Sequence, residues 1–242
     1  GLVFGSSIFA TTVVLICFMS GLALGSYLFG SKLGREKKPL ALYALIEALI
    51  ALTTVVSMFA LLPALDWSYS ALLEISPSEA NADGVVTPNG LVHALRFILV
   101  AVLLIVPTTL MGGTLPVITK FFVQKKSQFG IKIALLYGLN TAGAMTGCLL
   151  TGLYLIRVFG ESMTIGLAAG INLLVAASAY LLDKKIGTKP QDQEAEKPKK
   201  LSARMRNVLI VFGFAGMTSL AYEVIWFRAL YNLIGFHVYT VT

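Results

Sequence analysis

Glu47 and Glu223 are the residues with the clearest capacity for chemistry, because each stands inside a long apolar run. An ionisable side chain at membrane depth is costly to keep, and one that persists there is by default a functional candidate. Each has aromatic company. Tyr43 lies one helical turn before Glu47, and "YEVIWFRAL" at 222–230 sets Tyr222 beside Glu223 with Trp226 one turn further on. A carboxylate for charge and ring faces for cation–π contact are the pieces that a site for an ammonium group needs. The same carboxylates could instead close a buried helix–helix hydrogen bond, or an ion pair with Arg96 or Arg157. Arg228 is read differently. It follows Glu223 by five residues, which turns the two about 140° apart on a helix. Its long stem can snorkel to the headgroups beside Trp226 and Tyr231, as an anchor.

No other pattern in the chain competes for chemistry. His93 and His237 lack cysteine or acidic neighbours at metal-ligand spacing, so no metal site is expected. The Gly-rich stretches lie within apolar runs with no strand before them, so no phosphate loop and no cofactor are expected. There are no paired carboxylates with a histidine partner, and no catalytic site is recognisable.

The elements that must position these residues are membrane helices. Of 242 residues, 57% are hydrophobic and only 13% are charged, too little polar surface to cover a soluble core of this length. The apolar residues gather in blocks long enough to cross the hydrocarbon layer, about 6–30, 40–63, 92–122, 132–156, 162–182 and 207–234. Open strands cannot satisfy their backbone in lipid, so the fold class expected is an all-α integral membrane bundle of six transmembrane helices. Five helices occupy 1–182, a basic linker 183–206, and the sixth helix with the start of a seventh 207–242.

The connections assign an orientation. Segments 31–39, 123–131 and 183–206 are rich in Lys and Arg, whereas 64–91 is acidic and turn-rich. Of the 19 Lys and Arg, only Arg96, Arg157 and Arg228 fall on the side of the acidic loop. The basic loops are therefore expected in the cytoplasm and 64–91 outside. The net charge of +7 is read as this orientation signal, with some attraction to anionic lipid, and not as a nucleic-acid footprint. Cys17 and Cys148 both lie in apolar blocks and do not form a disulfide framework.

Two patterns bear on packing. Gly21 and Gly25, then Gly143, Gly147 and Gly152, then Gly166 and Gly170 recur at four- and five-residue spacings that let helix backbones approach. Within "VPTTLMGGTLP", Pro107, Gly112, Gly113 and Pro116 predict a kinked or broken helix, its freed groups either lining a binding site or satisfied by Thr108, Thr109 and Thr114.

The chain also overlays on itself. "GSSIFATT" at Gly5–Thr12 matches "GFHVYTVT" at Gly235–Thr242 at the first glycine and last threonine, and both segments are expected to run inward. One six-helix repeat followed by the start of a second is the expectation, since an even helix count returns the next copy in the same orientation.

Taken together, "FMSGLALGSYLFGSKLGR" at 18–35, "LYALIEALIAL" at 42–52, "PTTLMGGTLPVITKFF" at 107–122, "LYGLNTAGAMTGCLLTG" at 136–152 and "YEVIWFRAL" at 222–230 resemble the membrane part of the spermidine-synthase-like membrane proteins. In that family, major-facilitator-like segments are fused to a polyamine aminopropyltransferase domain. "YLFGSKLGR" at 27–35 is also similar to the loop between the second and third helices of major-facilitator transporters, but has Ser31 where that loop carries an acid. The resemblance implies a parent of two parallel six-helix halves, an aminopropyltransferase-like domain outside this chain, and a multi-pass place in the plasma membrane, the inner membrane of a bacterium. It further implies a polyamine or another cationic solute as ligand, with Glu223, Glu47, Tyr222, Trp226 and Tyr43 as binding residues. The other reading is a non-transporting anchor or accessory subunit, partnered by lipid and by other membrane subunits or the rest of a longer polypeptide.

Overall fold

A computed structural model describes residues 8–31, 38–61, 63, 67, 70, 79–80, 86–87, 90–122, 129–186 and 202–234. The basic loops, most of the acidic loop, the centre of the 183–206 linker and the overlay segments at Gly5 and Gly235–Thr242 lie largely outside the described residues. Among the described residues the α-helices run in order: α1 Ile8–Ser31, α2 Pro39–Val56, α3 Gly90–Phe122, α4 Phe129–Leu150, α5 Ile156–Ile186 and α6 Ala203–Ile234. Two widened turns, Ser57–Leu61 and Thr151–Leu155, extend α2 and join α4 to α5. A two-residue antiparallel ladder pairs Glu79–Ala80 with Val86–Thr87. The chain divides into two units, Gly1–Gln191 and Asp192–Thr242.

Among the described residues, five helical runs are long and apolar enough to cross a membrane: Thr12–Ser31, Pro39–Phe59, Ala101–Phe122, Gly130–Ile186 and Ala203–Glu223. They mark the chain as a helical membrane protein. Their outer faces carry exposed Leu24, Leu52, Phe59, Ile131, Leu153 and Phe212, apolar surface that suits lipid and would associate in water. The run through α4 and α5 contains one non-helical residue, Gly160, at φ 74° and ψ 174°. That backbone conformation is open to glycine and strained for other residues. The sequence predicts a short turn over 157–161; in the structure the non-helical backbone is confined to Gly160, with helix on both sides.

The first unit is ordered α1–α3–α2–α5. Phe29, Ile46, Ile50 and Val117 join α1, α2 and α3 in one buried cluster. Val13 and Cys17 pack on Ala101 and Leu104 between α1 and α3. Leu40 and Ala44 meet Ala179 of α5, with Tyr43, Ile118 and Phe121 around them. Lys132 at the start of α4 donates to the Phe122 carbonyl at 2.9 Å, satisfying one of the open carbonyls at the end of α3.

The α1–α3 seam follows from glycine. A Cβ at Gly25 would collide with the Thr109 carbonyl and lie 3.0 Å from the Gly112 Cα, while one at Gly21 would meet the Thr108 hydroxyl. From the other side, a Cβ at Gly112 would run into the Leu22 backbone and one at Gly113 into the Phe29 ring. Gly21 and Gly25 are therefore the close-approach positions their spacing predicts. Gly143, Gly147, Gly152, Gly166 and Gly170 have the same spacing but no atom within 4 Å of a Cβ position. The spacing alone does not bring a neighbour: α4 leaves nearly all of its surface exposed, and both glycines of α5 stand off the face it buries.

α3 is helical through Pro107 and Pro116, not broken as its sequence allowed. Pro116 has no N–H to offer the Gly112 carbonyl four residues back. Ser26 of α1 supplies the missing donor, with its hydroxyl 3.0 Å from that carbonyl. Thr108 and Thr114 fold their hydroxyls onto their own helix, Thr108 to the Leu104 carbonyl at 2.6 Å and Thr114 to the Met111 carbonyl at 2.7 Å. The carbonyl that Pro116 leaves open is thus satisfied by a hydroxyl borrowed from a neighbouring helix.

Candidate functional site

Glu47 stands on the face of α2 that meets other helices. Its neighbours one turn away, Tyr43, Ala44, Ile50 and Ala51, are buried or half-buried. Only 8% of its surface is exposed. Ile46 and Ile50 turn toward Val117 of α3, while Leu40 and Ala44 turn toward Ala179 of α5. Glu47, one turn after Tyr43 and Ala44, lies on a helix that packs on two sides at once.

The hydrogen-bond partner of the Glu47 carboxyl is the Tyr43 hydroxyl, one turn earlier on the same helix. A phenol can donate to a carboxylate and can accept from a carboxylic acid, so it serves either protonation state. Tyr43 itself spans the two buried clusters that flank α2. Its ring is held half-buried beside the carboxyl.

α5 contributes a face of small residues. Thr164, Ala169, Ala176 and Ala179 are its buried positions. Since Leu40 and Ala44 at the start of α2 meet Ala179 near the end of α5, and burial on α5 continues back to Thr164, the two helices run antiparallel. Stepping from Leu40 to Glu47 on one helix then corresponds to stepping from Ala179 to Asn172 on the other. Asn172 is half-buried, on the same face as Ala169, Ala176 and Ala179. Its amide is the one polar side chain that α5 brings to this level of the interface. Sequence reasoning passed over Asn172; the signal was its three- and four-residue spacing from the alanines, which reads only once α5 is paired with α2.

The remaining predicted residues belong to the second unit. Tyr222 and Glu223 are exposed on α6, and Trp226 lies on the same helix with its side chain outside the described residues. The structure therefore brings Tyr43 and Glu47 together in the first unit and places Tyr222, Glu223 and Trp226 along one helix of the second. α6 begins at Ser202, whose hydroxyl accepts from the Met205 N–H at 3.3 Å, a helix N-cap. No family model, no curated protein and no solved structure matches the chain.

Proposed function

We propose that the chain is the membrane module of a polyamine-related, spermidine-synthase-like protein, a transporter-like bundle that binds a cationic solute in the plasma membrane. The observation that supports this most is Glu47: a carboxyl 8% exposed, hydrogen-bonded to Tyr43, on the helix at the centre of the first unit. A buried carboxylate beside an aromatic ring suits an ammonium group, by charge and by cation–π contact. Glu223 with Tyr222 and Trp226 repeats the same composition on α6.

In this reading the helices make six crossings. The run Gly130–Ile186 has 57 residues, and as one straight rod it would reach about 85 Å, far beyond a hydrocarbon core of about 30 Å. Gly160 divides it into two lengths that each suffice for a crossing. Six crossings form one major-facilitator-like repeat, with Gly235–Thr242 opening the next.

The test is binding of labelled spermidine to the purified chain, with Glu47→Gln and Glu223→Gln variants. A Gln keeps the size and much of the hydrogen bonding but loses the charge, so each variant should bind more weakly than wild type. Equal binding by all three, or none by wild type, ends the ligand reading. The second reading, a non-transporting anchor or accessory subunit, is favoured by the open glycine face of α4 and by Ser31, which bonds back to the Tyr27 carbonyl where the transporter loop has an acid. It predicts no spermidine binding and co-purification of a further membrane subunit.

A further inference from the structure

We propose that Glu47 is a proton–cation exchange site: empty, it holds a proton, and an arriving ammonium group displaces that proton in a one-for-one swap. This rests on the cation-binding reading above and names the ion that is exchanged.

The geometry carries it in three steps. First, the carboxyl is taken out of water by α2, α3 and α5, with 8% of the residue exposed. A lone carboxylate in such a place is strongly disfavoured, and the neutral acid or a close, well hydrogen-bonded carboxylate–ammonium pair is disfavoured much less. Second, among the described residues no basic side chain stands beside the carboxyl. Its hydrogen-bond partner is the Tyr43 hydroxyl on its own helix. On α3 the nearest charged residue in sequence is Lys120, one turn past Val117 toward the Pro39 end of α2, and Arg96 belongs to the far end of that helix. On α5, Asp183 lies a turn beyond Ala179 at the same end with Lys184 and Lys185 following, while Arg157 and Glu161 flank Gly160 at the other end. Lys120 and Asp183 each have interactions of their own. Third, the Tyr43 hydroxyl can accept from the acid and donate to the carboxylate, so the swap leaves no hydrogen bond unmade in either state. Asn172 is half-buried on the face of α5 that meets α2, and an amide holds both an acceptor for an ammonium and a donor for a carboxylate.

The step balances in charge and atoms. The carboxylic acid plus an alkylammonium gives the carboxylate–alkylammonium pair plus one proton released to water. The buried site gains an ion pair and never a lone charge. No oxidant, metal or further reactant is involved.

The experiment uses the full chain, purified in detergent, with spermidine as probe. Infrared difference spectra, recorded without and with spermidine, follow the carbonyl stretch of a protonated carboxyl. A weakly buffered pH indicator counts protons on mixing. The expected result is a protonated-carboxyl band in the empty wild type, missing from Glu47→Gln and abolished by spermidine, with about one proton released per spermidine bound. Because binding expels a proton, the apparent affinity should rise about tenfold per pH unit for as long as the empty site stays protonated. Glu47→Asp keeps the acid and moves the band, and identifies it if the Gln variant does not purify. Spermidine binding with no proton release, or a band that persists in the bound state, overturns the exchange while leaving cation binding in place. No spermidine binding by wild type overturns both.

Discussion

Replacing Gly25 by Ala is the sharpest probe of how the first unit is held together. The added methyl would collide with the Thr109 carbonyl oxygen, lie 2.8 Å from the carbonyl carbon and 3.0 Å from the Gly112 Cα. Ordinary non-bonded contact begins at about 3.5 Å, and the Thr109 carbonyl oxygen is the nearest obstacle, so α1 and α3 must separate by on the order of an ångström to admit it. The obstacle is backbone, so no rotamer change clears it. Overpacking of this kind costs about 1–3 kcal/mol. The same substitution at Gly143 has no atom within 4 Å to meet. There, Gly→Ala in a helix interior should stabilise by about 0.5–1 kcal/mol through the unfolded chain's lost freedom. The two variants should therefore differ by about 1.5–4 kcal/mol in opposite directions from wild type. The measurement is reversible unfolding in mixed detergent with rising SDS fraction, followed by far-UV circular dichroism. A Gly25→Ala protein as stable as wild type would refute the close-approach reasoning. A Gly143→Ala protein as damaged as Gly25→Ala would mean that the open face of α4 is covered in the purified protein.

Three further outcomes are expected. Ser26→Ala should cost about 0.5–1.5 kcal/mol by orphaning the Gly112 carbonyl, and much less in a Pro116→Ala background, where a backbone N–H returns to that carbonyl; additive effects in the double-mutant cycle would refute the link. Gly160→Ala should destabilise by about 1–3 kcal/mol, since φ 74° and ψ 174° there lie in a region essentially confined to glycine, and a neutral result in the same unfolding assay would show that the break relaxes into plain helix. Single cysteines at Ser78 and Lys189, placed in a Cys17→Ala, Cys148→Ala background, should label with an impermeant reagent from opposite sides of the membrane, and labelling of both from one side would sink the orientation assigned from the basic loops.

The positions of the helices were legible in the sequence because lipid imposes a length and a composition that few other environments share. Gly21 and Gly25 were legible as an approach face for a similar reason: few other arrangements use glycine twice in one turn of an apolar helix. Their partner was harder. "PTTLMGG" looked like a break, since proline and glycine both weaken a helix, and only the placement of Ser26 opposite the Gly112 carbonyl explains why α3 persists. The equal spacing of Gly143 and Gly147 carried no such information, because spacing describes one helix and a seam needs two. Glu47 could be read as a buried carboxyl from its depth in an apolar run, and Tyr43 as its neighbour from helical geometry. Asn172 could not, because an amide among alanines gains its meaning from the register of α5 on α2, a long-range property with no local signature.

The bond from Ser26 to the Gly112 carbonyl also bears on how the chain is made. α1 leaves the ribosome and enters the bilayer well before α3. When α3 follows, Pro116 leaves one of its carbonyls unsatisfied in a medium with no water to bond to. That vacancy remains until the Ser26 hydroxyl arrives beside it, and the glycines on both helices allow the approach. The late helix therefore enters with a reason to seek the early one. A defect in Ser26 would then show first as slow or leaky insertion, with α3 lingering at the exit of the insertion machinery, before any loss was visible in the finished protein.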